Sequence, residues 1–231
     1  METRSDGPDA PRGDAPERWV VRHYHRGGAI APILGDRYLR LGAPRPVREY
    51  GTGRALERRG LPTPAHIAAA VYPSGIWYRG DLVTRWVPGS RDLAAVLFPG
   101  RSLEGPESGA PRSAAGAGAE SGMGSGAGAL EAGGPEAGGP EAGGAEAEAA
   151  MRATGRLFRR LHEGGVVHPD LNLKNVLIAG DVEAPDALVL DLDGATVTSR
   201  VGDGARLRMV ARFWRSARKW RKATGVALDP S

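Results

Sequence analysis

At 231 residues the chain is long enough for a substantial core in one or two domains, and with no cysteine it can hold neither a disulfide framework nor a thiolate metal site. No apolar run approaches the roughly 20 residues that span a bilayer; the longest candidate is the short IAAAVY at 67–72. The formal charge of +4 is unevenly divided: residues 101–150 hold two Arg against eight Glu, a local −6, so the remainder carries +10, which favours phosphate-bearing ligands, nucleic acid or an anionic membrane surface.

In chain order, residues 1–17, METRSDGPDAPRGDAPE, are polar and rich in proline and charge, without the apolar stretch of a secretory signal, and predict a disordered start to a cytosolic chain. RWVVRHY, at 18–24, has the composition of a strand. RPVREYGTGRALERRG, at 45–60, predicts a helix ending at Gly60 and closed off by LPTP; GIWYRGDLVTRWV, at 75–87, returns to strand. These make a first folded block over 18–100. From about Gly105 to Gly144 the chain is almost wholly Gly, Ala, Glu, Pro and Ser, and EAGGPEAGGPEAGG repeats a five-residue unit. Such a segment cannot bury enough apolar surface to offset the entropy of ordering it, so 101–145 is expected to be a flexible insertion.

The second block, 146–231, opens with EAEAAMRATGRLFRRLHEGG, where Met151, Leu157, Phe158 and Leu161 recur at near-helical spacing before Gly164 and Gly165. Three strand-like runs follow, VVH, NVLIA and ALVLDLD, and a final helix is expected over about 205–223. Between these runs lie the candidate site residues. His168, Asp170 and Asn175 form the pattern His, any residue, Asp, four residues, Asn, and Asp191-Leu192-Asp193-Gly194 makes a second acidic turn after a strand.

The order helix, GVVH, Asp loop, NVLI, loop, LVLDLDG is that of a kinase-like phosphotransfer core. Phosphoryl transfer asks little covalent work of a protein. It needs a carboxylate to orient and deprotonate the attacking hydroxyl, for which Asp170 is suited, and hard oxygen ligands to hold magnesium against the triphosphate, for which Asn175 and Asp191 are suited. Asp193 would support the metal or cap its turn, and His168 would be a buried imidazole bracing the loop. Asp and Asn also favour turns for conformational reasons, so the assignment rests on the whole set in this order.

These residues carry a resemblance. VVRHYHRGGAIAPILGDRYL at 20–39, then PVREY, LPTPAHIAAA and YRGDLVTRWVPG, and in the second block LHEGGVVHPDLNLKNVLI and VLDLDGA, resemble the lipopolysaccharide kinase family and, within it, the 3-deoxy-D-manno-octulosonic acid kinases. The resemblance covers both blocks and skips the insertion. It implies an α+β, two-lobed protein-kinase-like fold with a small N-lobe sheet and a mainly helical C-lobe. It further implies ATP and Mg2+, a lipid A-linked Kdo sugar as acceptor, a monomer, peripheral placement at the cytoplasmic face of the inner membrane, and Asp170 as general base. No nucleic-acid partner is expected.

The chain departs from the kinase pattern in three places. The strand position that holds a phosphate-gripping lysine in protein kinases offers Arg22, to be paired with Glu49 of the following helix. The position two residues after the base is Asn172, which leaves Lys174 to offset transition-state charge. No glycine-rich loop precedes the Arg22 strand; Gly27 and Gly28, with Arg26, come after it. In the final helix Arg208, Arg212, Arg215, Lys219 and Lys222 share one face, and Leu207, Val210, Phe213, Trp214, Ala217 and Trp220 lie away from it. That amphipathic pattern suits either core packing with a solvated basic face or attraction to anionic lipid.

Overall fold

The computed structural model describes residues 17–25, 35–101 and 140–225. All but the last residue of the disordered start expected at 1–17, most of the insertion expected at 101–145, and Arg26, Gly27 and Gly28 lie outside the described residues.

The first block is a small antiparallel sheet backed by one helix. Strand β1 (Trp19–His23), the two-residue β2 (Tyr38–Leu39), β3 (His66–Ser74) and β4 (Trp77–Arg85) are joined with β4 in the middle. β3 runs along one edge of β4, while β1 lies against Asp81–Arg85 and β2 against Trp77 and Tyr78. Helix α1 (Arg45–Arg58) buries Pro46, Glu49, Gly53 and Leu56, a spacing of three and four that makes a single inward stripe.

That stripe approaches the sheet closely. A Cβ added at Gly53 would fall 2.2 Å from the ring of His66, and one at Gly80 would fall 2.6 Å from Pro46 Cγ. The two glycines let the helix sit down on β3 and β4. Tyr24, Tyr38, Tyr78 and Leu82 form a small cluster of their own on the sheet.

The second block is built round helix α3 (Pro140–Glu163), which begins six residues ahead of the expected 146. It is preceded by β5 (Arg91–Asp92) and the short α2 (Leu93–Leu97), whose N-terminus is capped by the Asp92 carboxylate accepting from Ala95 N at 2.8 Å. After α3 come β6 (Val166–Val167), a 3-10 turn (Leu173–Asn175), β7 (Val176–Ala179), β8 (Asp186–Val189), β9 (Thr196–Val197) and α4 (Asp203–Thr224). β5, β7 and β8 form one sheet and β6 pairs with β9. A single large core joins α2, α3, the β7–β8 hairpin and α4, and Leu56 of α1 belongs to it. The arrangement is thus a small sheet with one helix, followed by a mainly helical second part, as expected. No helix among the described residues is long and apolar enough to cross a membrane.

The packing at Gly53 generates a prediction in which two effects oppose each other. Alanine gains roughly 1 kcal/mol of helix propensity over glycine, but the His66 ring is buried and cannot swing away. Overpacking of this kind costs about 1–3 kcal/mol, so Gly53→Ala is expected to lower the Tm of the full chain, whereas Gly51→Ala on the open side of the same helix raises it or leaves it unchanged. Thermal unfolding of the two variants side by side checks this.

Candidate active site

Alternation along β1 places Arg22 and Tyr24 on the same face of the sheet, and both reach Glu49 of α1. Glu49 is buried to 2 % exposure and accepts from Arg22 Nη2 and the Tyr24 hydroxyl at Oε2, and from the backbone N–H of Leu192 at Oε1 (3.0 Å). Arg22 also donates from Nη1 to Asp191 Oδ1 at 2.8 Å. Burial by itself would lower the Arg22 pKa; the charges of Glu49 and Asp191 more than offset it, and the guanidinium is held above its ordinary range. Burial, reinforced by the Glu49 charge, also pushes the Tyr24 hydroxyl up. The pairing of Arg22 with Glu49 expected from the sequence is therefore present as an ion pair that extends to a third group.

The Asp191-Leu192-Asp193-Gly194 turn has a conformation that each residue uses differently. Asp191 adopts the left-handed region at φ 54°, where aspartate is among the few tolerated residues. Leu192 goes into the core, and Asp193 turns to α1, accepting from Arg45 Nε at 2.9 Å and lying 3.8 Å from Arg48.

The loop carrying Asp170 is folded by its own polar side chains. His168 is fully buried; its Nδ1 accepts from Asp170 N at 3.2 Å and its Nε2 lies 3.1 Å from the Leu190 carbonyl. An amide can only donate and a carbonyl only accept, so the ring is neutral with its proton on Nε2. The Asp170 carbonyl accepts from Asn172 Nδ2 (3.0 Å) and Asn175 Nδ2 (2.9 Å), and Asn172 Oδ1 accepts from Lys174 N. Leu190 N donates to the Asn175 carbonyl at 2.9 Å. Asp170, Asn175 and Asp191 are thus tied into one network: Asn175 bonds directly to the Asp170 loop, and Leu190, the neighbour of Asp191, bonds to both Asn175 and His168.

Among the described residues no three His, Asp or Glu side chains converge to hold an ion. Asn175, whose Nδ2 is committed to the loop, retains Oδ1, and Asp191 has Oδ2 beside the oxygen taken by Arg22. Two hard oxygens fit magnesium, which keeps several waters and completes its shell with phosphate. Lys174 lies elsewhere: its Nζ is 5.7 Å from the ring centre of Trp220 on α4. The cation on Asp170 is instead Arg212 of α4, donating from Nε to Oδ1 at 2.8 Å, with Nη2 ion-paired 2.5 Å from the same oxygen.

Both stretches that build this site fall inside a family match. The model of the Lipopolysaccharide kinase (Kdo/WaaP) family matches residues 10–116 and 137–228. The chain belongs to this family. A 3-deoxy-D-manno-octulosonic acid kinase of Stenotrophomonas maltophilia is 31% identical over 176 residues, which is 75% of this chain and 51% of that relative. Proteins with the same description from Vibrio cholerae (26% over 202 residues; 87% and 65%) and Actinobacillus succinogenes (27% over 210 residues; 90% and 68%) are also similar. The chain spans about half to two-thirds of the length of these relatives. A solved structure described as WaaP in complex with acyl carrier protein aligns with a TM-score of 0.47 and 17% identity, over 87% of this chain and 63% of that one.

For a lipopolysaccharide kinase family member, two partnerships in the site were invisible to motif reading. Asp193 joins the Asp loop to α1 through Arg45, and Arg212 meets Asp170 from 42 positions away. Neither partnership has a spacing that could have signalled it. The buried carboxylate, by contrast, permits a direct test. Glu49→Gln keeps one acceptor oxygen and turns an NH2 group towards donors, which leaves a buried donor unmatched at a cost of about 1–3 kcal/mol. A lower Tm in thermal unfolding is the expected outcome; an unchanged Tm would show that the first and second blocks do not depend on this junction.

Proposed function

We propose that this chain transfers the γ-phosphate of ATP to a hydroxyl of a 3-deoxy-D-manno-octulosonic acid residue in the lipid A-linked inner core of lipopolysaccharide. The observation that carries the reading is the single polar network joining Asp170, Asn175 and Asp191 beneath the Arg22–Glu49 pair, in a chain of the lipopolysaccharide kinase family. The sugar itself is taken from the description of the relatives.

In this reading Asp170, half-exposed at the loop surface, orients the acceptor hydroxyl and takes its proton as the oxygen attacks the γ-phosphorus and ADP departs. Arg22, fixed by Glu49, contacts the phosphates of the nucleotide with its guanidinium. Asn175 Oδ1 and Asp191 would hold Mg2+, which supplies charge neutralisation at the β- and γ-phosphates. His168 keeps the loop in place through its two bonds and takes no proton.

Thermal shift with magnesium and ATP, followed by phosphate transfer to a lipid A precursor bearing the sugar, tests the proposal. Asp170→Asn is expected to reduce transfer by roughly 100-fold or more, the usual scale for a lost general base, with thermal stability retained because the backbone bonds of the loop remain. Asp191→Asn is expected to lose the magnesium-dependent part of the nucleotide shift. Full transfer by Asp170→Asn would remove the assigned base.

The acceptor sits on a lipid, and α4 offers a surface for it. Its buried stripe is Met209, Phe213, Ser216, Ala217 and Trp220, whereas Leu207 (70 % exposed), Val210 and Trp214 (47 %) face outwards beside Arg208, Arg215, Arg218 and Lys219. Exposed apolar residues flanked by cations suit the interface of an anionic membrane, and we propose peripheral contact there. Arg212 is not part of that contact, since it is engaged with Asp170. Sedimentation with anionic liposomes is expected to weaken on reversal of Arg208, Arg215 and Lys219, and to weaken with added salt; binding unaffected by both would exclude the contact.

A further inference from the structure

We propose that Arg212 is the receptor for the acidic group of the acceptor, so that the protein selects a negatively charged sugar and delivers its hydroxyl to Asp170. The inference rests on the kinase reading above for the identity of the acceptor, and on four observations for the role of Arg212.

First, Arg212 places both Nε and Nη2 on one oxygen of Asp170, while Nη1 of Arg212 and Oδ2 of Asp170 have no partner among the described residues. Any molecule that presents a hydroxyl to Oδ2 brings its neighbouring substituents within reach of that guanidinium. Second, the pair is open to ligand, with side-chain exposures of 37 % and 52 %. An ion pair this exposed contributes at most about 1 kcal/mol, so exchange of Asp170 for another carboxylate costs little.

Third, the other polar side chains of the loop are committed. Asn172 bonds to the Asp170 carbonyl and the Lys174 amide, and Lys174 lies against Trp220. Fourth, the charges assigned to the nucleotide are met from the other block, by Arg22 of β1, whose second carboxylate partner is Asp191. Arg212 enters from α4, with Arg208 and Arg215 exposed one turn to either side. Cations exposed on α4 on both sides of the one that meets the base fit an anionic acceptor. A planar guanidinium with two parallel donors is the group best matched to a carboxylate, and the sugar named for the relatives is an acid.

The test uses the full chain, with 3-deoxy-D-manno-octulosonic acid and its methyl ester as probes. Binding of each is measured without nucleotide by calorimetry, and phosphate transfer to each is measured with magnesium and ATP. Wild type is expected to prefer the acid by roughly 10- to 100-fold, the range for a hydrogen bond to a charged group. Arg212→Gln should lose that preference, the fall being larger for the acid than for the ester by the same roughly 10- to 100-fold, and Arg212→Lys should recover part of it. In the transfer assay the loss should fall on the KM for the acceptor rather than on the KM for ATP.

Equal binding of acid and ester by wild type, absence of binding of either, or a preference that survives in Arg212→Gln would each overturn the inference. So would an equal fall in transfer to acid and ester, which would place Arg212 on the phosphoryl group instead. An Arg212-dependent preference without phosphate transfer would refute the kinase reading and leave this inference standing; transfer without such a preference would do the reverse.

Discussion

The geometry of this protein depends on one buried carboxylate. Removing an ionised Glu from water costs several kcal/mol unless charges and hydrogen bonds replace the lost hydration, and Glu49 obtains those partners from far-separated stretches of chain: Arg22 and Tyr24 from β1 and the Leu192 amide from the acidic turn. Each oxygen is used. The sheet, α1 and the Asp191 turn must therefore come to a fixed mutual placement, because any one of them moving away leaves the carboxylate under-satisfied. The same requirement explains why an arginine works at position 22. Its planar fork gives one terminal nitrogen to Glu49 and the other to Asp191, a division between two carboxylates that a lysine's single ammonium could make only at one point.

Every acidic group in the site already has a cation. Asp191 has Arg22, Asp193 has Arg45, and Asp170 has Arg212. A protein with the proposed function would have to supply positive charge to a triphosphate and an acidic sugar, and would also have to keep that charge from repelling itself before the ligands arrive. Interleaving carboxylates solves both problems, since incoming anions then exchange partners with carboxylates of similar chemistry and the net field changes little. The exposed pairs are the ones suited to exchange: Asp170 with Arg212 is open, whereas Glu49 is sealed beneath the sheet and keeps its partners.

Much of this was legible in the sequence, for reasons that also explain what was not. The helix-forming run closed by Gly60 and LPTP, and the strand compositions of GIWYRGDLVTRWV, NVLIA and ALVLDLD, are local signals, and they located α1, β4, β7 and β8. β3 escaped because HIAAAVYPS is alanine-rich and alanine has little strand preference; small side chains belong there because α1 lies close above the sheet. β5 and α2 were hidden by their length. The partnerships of Asp193 with Arg45 and of Arg212 with Asp170 depend on where whole elements dock, and periodicity holds no record of that.

Helix α4 shows why a two-faced reading of a helix can mislead. The sequence divides it into basic and apolar sides, but the structure uses three. Met209, Phe213, Ala217 and Trp220 enter the core, where Trp220 stacks on Phe98 and Phe213 meets Phe158 edge-on. Ser216 Oγ lies 3.5 Å from the Leu173 amide, and Lys174 rests on Trp220, so the same turns that build the core also support the Asp170 loop. Arg212 faces Asp170 itself, and Leu207, Val210 and Trp214 are left outside. Apolar residues at 207, 210 and 214 exceed what one buried stripe can accept at 3.6 residues per turn, and a second apolar surface on the outside is the geometric consequence. One helix therefore fixes the distance between the Asp170 carboxylate and the outward surface, so an acceptor anchored at that surface would meet Asp170 at a depth set by the helix rather than by a loop alone.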